Sequence, residues 1–188
     1  MSKSGYIYFI FKLKINRVNN NSTTGNPSRN TRHYEYPQDI PECHADIVEE
    51  LRTQAQDVRS THIKKASSGN AAAAKLKLAM GGVYSKKATS KEKPLNIPGQ
   101  DNGPKFFFQE RIDRAPSPKC FNETHAEYKI FNALAEDLER DDVSLEVEGI
   151  LYLYTERDMC SGCNITCDDF YRRFPNIKVI IFYKRPYP

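Results

Sequence analysis

Two short constellations in this chain could act together: His125-Ala126-Glu127 and, 35 residues after the histidine, Cys160-Ser161-Gly162-Cys163. One imidazole and two thiolates suit zinc, which takes nitrogen at about 2.0–2.1 Å and sulfur at about 2.3 Å. Three protein ligands leave a fourth position for water, the arrangement of a catalytic rather than a structural site. Zinc lowers the pKa of such a water from about 15.7 to about 7, so hydroxide is available at neutral pH. Glu127 follows His125 by two residues and would stand near the metal without ligating it. From there its carboxylate could take a proton from the water and pass it to a leaving amine.

Each piece also has a structural reading. A lone histidine at a helix start is more often a cap. A C-x-x-C pair can be redox-active, or half of a closed zinc site completed by Cys43, Cys120 or Cys167. Cys167 falls four residues after Cys163 on the same helix face and reads as a core thiol. The five cysteines are odd in number and three are clustered, unlike a disulfide framework.

The elements that must position these groups follow from patterning. Thr124, with Glu127 three residues on, predicts a capped helix start, and Ile130, Phe131, Leu134 and Leu138 give it one buried face. Gly149 to Tyr154 is nearly all apolar, as a strand covered on both faces would be. A second helix is predicted from about Cys160 to Arg173, then a strand over Ile177–Tyr183. Val83-Tyr84 and Lys105 to Gln109, including Phe106-Phe107-Phe108, are predicted strands. The order over this half is β-β-α-β-α-β, an α/β layered sheet with both helices on one face. Both constellations then sit at helix N-termini, where the dipole favours thiolate. The phenylalanines, Tyr152 and Tyr154 read as core. Arg172-Arg173 and Lys184-Arg185 read as solvated pairs, either of which could guide phosphates.

Residues 1–80 read as an extension. Residues 18–41 are polar and aperiodic, hence a linker. A helix is predicted from Pro41 to about Arg59, and a second over the alanines and leucines of 71–80, ended by Gly81-Gly82. The apolar run Gly5 to Phe11 is short and leads into Lys12 and Lys14 without a cleavage site, a poor signal peptide. No apolar run approaches the ~18 residues of a membrane span. The net charge of +4 is uneven. Residues 1–100 hold 16 Lys and Arg against 8 Asp and Glu, and residues 101–188 hold 12 against 16. A basic leading half could meet phosphates, or be a solvated linker.

H-x-E followed by P-C-x-x-C is the zinc deaminase signature. Residues 80–188 resemble the cytidine deaminase-like superfamily, and among its members the deaminase domains that end bacterial polymorphic toxins. The resemblance is carried by Thr124 to Phe131, Gly149-Ile150-Leu151, Thr155-Glu156, Met159 to Cys163, and Phe174 to Ile177. It implies a three-layer sandwich with a mixed central sheet, zinc held by His125, Cys160 and Cys163, and Glu127 as proton shuttle. It places the Asn122 side chain and the Ala126 backbone against the base. It further implies a monomer that deaminates a nucleobase, first of all cytosine to uracil in a single-stranded or flipped position of a nucleic acid, with a free nucleoside or adenine left open. Such a toxin is delivered into a recipient's cytoplasm, and a cognate immunity protein guards the producer. Met159 stands where the family has proline, and the predicted strands stop one short of many deaminases. The rival expectation is a non-catalytic zinc module that binds nucleic acid or a protein.

Overall fold

The β-branched and aromatic runs of the C-terminal half form the middle of a sheet. In a computed structural model describing residues 31–65, 68–91 and 124–187, β4 (Gly149–Thr155) and β5 (Ile177–Tyr183) pair in parallel. On one side β5 pairs in parallel with β1 (Thr31–Glu35). On the other, β4 pairs antiparallel with β2 (Ala71–Leu78), and β2 with β3 (Val83–Thr89). The sheet is therefore mixed, in the order β1-β5-β4-β2-β3.

Alternation along each strand feeds two separate cores. Leu151 and Leu153, with Ile177, Val179 and Ile181, face α2 (Ala126–Arg140) and α3 (Ser161–Arg173). Tyr154, Ile180 and Phe182 point the other way, to Ile47, Val48, Leu51 and Ala55 of α1 (Ala45–His62). Helices on both faces make three layers, the architecture expected of a cytidine deaminase-like fold. A short 3-10 turn, Glu42–His44, leads into α1.

Three expectations need correction. Residues 71–78 are a strand, not a helix. Alanine is the best helix former, but here Ala71 to Ala74 are wholly buried between α1 and α2. Their small side chains let both helices approach the sheet, and packing outweighs propensity. The division at residue 80 consequently falls in the turn between two paired strands, where Gly81 and Gly82 adopt φ of +91° and +97°. Residues 31–78 build the sheet and one helical layer, so they are not an extension to it. Lastly, the N-cap of α2 is His125, not Thr124. The apolar run Gly5 to Phe11 and the predicted strand at 105–109 lie outside the described residues. No helix among the described residues is long and apolar enough to cross a membrane.

Candidate active site

The parallel strand β4 ends at Thr155, and the chain turns through residues 156–160 to start α3. Cys160 is the N-cap of that helix, and its sulfur accepts the Cys163 N–H at 3.3 Å. The C-x-x-C spacing thus has a local cause: N-cap and N3 positions share one side of a helix start. His125 caps α2 in extended backbone conformation, with φ −69° and ψ 142°. The two helix N-termini meet. His125 Nδ1 lies 3.4 Å from Cys160 Sγ and 3.5 Å from Cys163 Sγ.

Those separations test whether zinc fits. A tetrahedral ion with the usual nitrogen and sulfur bond lengths sets such atoms about 3.6 Å apart. The three ligand atoms all lie within 4.8 Å of one another. Donor types and spacing therefore fit a single zinc ion. Among the described residues no fourth His, Cys, Asp or Glu joins this group. Cys43 is exposed and Cys167 is buried in the core, where burial pushes its thiol up to about 12. Cys120 lies outside the described residues. Hydrogen bonding from the Cys163 thiol brings Cys160 down to about 6, while burial pushes Cys163 up. Cys160 is thus the more acidic of the two thiols.

Glu127, in the first turn of α2, is only 3% exposed. Its Oε1 accepts a hydrogen bond from Asn70 Nδ2 at 2.6 Å and from the Thr155 hydroxyl at 2.5 Å. Both of these bonds fall on one oxygen. Burial raises the carboxyl above its ordinary range, partly countered by the Thr155 hydrogen bond. A carboxyl so raised is protonated more readily than a free one.

Asn70 and Thr155 are the residues that motif reading missed. Asn70 also donates to Thr155 Oγ1 at 2.8 Å and accepts the Arg157 N–H at 3.2 Å. Its backbone N–H donates to Ser90 Oγ at 2.7 Å, which ties it to the end of β3. Thr155 left a readable trace, a hydroxyl closing an otherwise apolar strand. Asn70 left none, since it precedes an alanine run. Of the two expected base contacts, Ala126 is buried at the first helical position. Its amide has no acceptor inside the helix. Asn122 lies outside the described residues.

A family model, that of the BURPS668_1122 family of deaminases, the toxin-deaminase family, matches residues 51–185. A search among curated proteins finds no match. The matched span covers α1 from its second turn through β5, and so contains all four residues of the cluster.

Proposed function

We propose, for a chain that belongs to the BURPS668_1122 family of toxin deaminases, zinc-dependent hydrolytic deamination of cytosine in a nucleic acid. The reading rests chiefly on one juxtaposition: an imidazole and two thiols within 4.8 Å of one another, beside a buried carboxylate whose Oε1 accepts from Asn70 and Thr155. His125, Cys160 and Cys163 would hold the ion. A bound zinc would supply Lewis acidity, which makes water a nucleophile at neutral pH. Glu127 would take a proton from the attacking water and pass it to the departing amine. A C–O bond forms, a C–N bond breaks, and ammonia leaves. The Ala126 amide and the Asn122 side chain would hold the base. As a toxin the chain would act in a recipient cell's cytoplasm, and its producer would need a cognate immunity protein.

Charge placement favours a polyanion over a free nucleoside. The topology carries Lys64, Lys65, Lys91, Arg157, Lys184 and Arg185 to the end of the sheet where the cluster lies. All but Arg157 are exposed, and none of the six appears in an ion pair among the described residues. Lys91 passes over Gly69, its Cγ and Cε both 3.2 Å from where a Cβ there would stand, next to Asn70. The opposite end exposes Asp141, Asp142, Glu146 and Glu148. Such a field draws phosphates toward the cluster. Lys91→Glu combined with Arg185→Glu is expected to raise KM for a single-stranded oligonucleotide about tenfold and to flatten its salt dependence. An unchanged salt slope would refute the polyanion. Supplying single-stranded DNA, duplex DNA, RNA and free cytidine to the zinc-loaded protein tests the substrate; no uracil from any of them refutes the activity.

Asn70 sets a second expectation. Asn70→Asp keeps the shape but puts an acceptor against Glu127, so kcat should fall about 10–100-fold with KM little changed. Equal losses in KM alone would make Asn70 a substrate contact instead.

A further inference from the structure

The family match begins at residue 51, yet β1, at residues 31–35, lies beside β5 in the sheet. Its alternation gives it two duties. Tyr34 stacks on Phe182 on the α1 side, with ring centroids 5.9 Å apart. Thr31 and His33 point under α3. Thr31 Oγ1 is 3.9 Å from Cys167 Sγ, one turn beyond Cys163. His33 Nδ1 is 2.9 Å from Asp158 Oδ1.

Asp158 lies in the turn that presents Cys160. The same Oδ1 accepts the Met159 N–H at 2.8 Å, and the Asp158 N–H donates to the Arg185 carbonyl at 2.8 Å. This turn lacks the proline expected before the first cysteine. Its shape is held by hydrogen bonds to Asp158, and His33 fixes the carboxylate that makes one of them. Both residues are a little over one-quarter exposed, so neither is a core residue whose loss would empty a packed site. We propose that β1 is a working part of the metal centre and that His33, acting through Asp158, is a positioning residue for Cys160.

The inference rests on reading His125, Cys160 and Cys163 as a zinc site, so the full-length parent is measured first. Zinc affinity is read by competition with a chromogenic chelator. A parent that binds no zinc overturns that reading, and this inference with it. If the parent binds, His33→Ala should weaken affinity about tenfold, the low end of what losing an outer partner costs. His33→Asn should restore most of it, because an asparagine Nδ2 reaches the place of the imidazole Nδ1. Asp158→Ala should lose at least as much as His33→Ala, and the double variant no more than Asp158→Ala alone. Melting temperatures of the metal-free Ala and Asn variants should agree. An affinity in His33→Ala equal to the parent's, additive losses in the double variant, or a metal-free His33→Ala that melts well below His33→Asn would each overturn the role of His33 and leave the zinc site standing.

Discussion

Glu127→Gln should produce no uracil above background, a loss of at least about 10³-fold, while zinc per chain stays at the parent level. The variant keeps the side chain's shape. Its amide oxygen can still accept from Asn70 and Thr155 in place of Oε1. What disappears is the carboxylate oxygen proposed to carry the proton between water and leaving amine. Product yield and elemental zinc on the same preparation check both halves. Turnover persisting in the variant would remove Glu127 from the chemistry. Loss of zinc would instead make it part of the metal's support.

Stability supplies an independent check on the same residue. Burial raises the Glu127 pKa above 4.5, so the folded chain disfavours its ionised form. That penalty is absent below the unfolded value, sets in as pH rises past it, and is complete above the folded pKa. Metal-free Glu127→Gln should therefore melt at or above the parent at neutral pH, and the gap should close as pH falls toward 4.5. Melting curves at a few pH values test it, and a gap that widens on acidification would contradict the burial argument.

The chemistry was more legible than the scaffold, for a physical reason. Metal-ligating side chains come from few residue types, and the three candidates here sit at two helix N-termini, His125 and Cys160 as caps and Cys163 three positions in. His125, Cys160 and Cys163 could be brought together from type and order alone. The elements of 149–183 were equally readable because doubly covered strands are apolar throughout. The first half gave poorer signals. Ala71 to Ala74 read as helix, since nothing local shows that alanine is there to admit two helices. Thr31 to Glu35 is polar enough to pass for linker, and only its pairing with β5 makes it a strand. Asn70 was hidden for the same reason. Its role depends on Glu127 and Thr155, 57 and 85 residues away, and no local pattern encodes a contact of that range.

Cys163→Ser should lose zinc and stability together, whereas Cys167→Ala, one helical turn on, should lose neither to any comparable degree. Both sulfurs are buried on α3, so burial alone predicts like effects for the two. The proposed ligation separates them. Cys163 stands 3.5 Å from His125 Nδ1. Cys167 sits in the core against Thr31. With free zinc at about 1,000 times its Kd, binding adds about 4 kcal/mol to the parent's stability. At roughly 2–4 °C per kcal/mol for a domain of this size, Cys163→Ser forfeits on the order of 10 °C of melting temperature. A chelator should bring the parent down to the same temperature and leave Cys163→Ser nearly unmoved, because it has no bound metal to surrender. Cys167→Ala should cost about 1 kcal/mol through the small cavity it opens, and should keep the full response to zinc and chelator. Equal zinc content in Cys163→Ser and the parent would show that the thiol at 163 is packing and not a ligand. Loss of zinc from Cys167→Ala would point to a closed four-ligand site, in which no position is left for water and Glu127 has nothing to deprotonate.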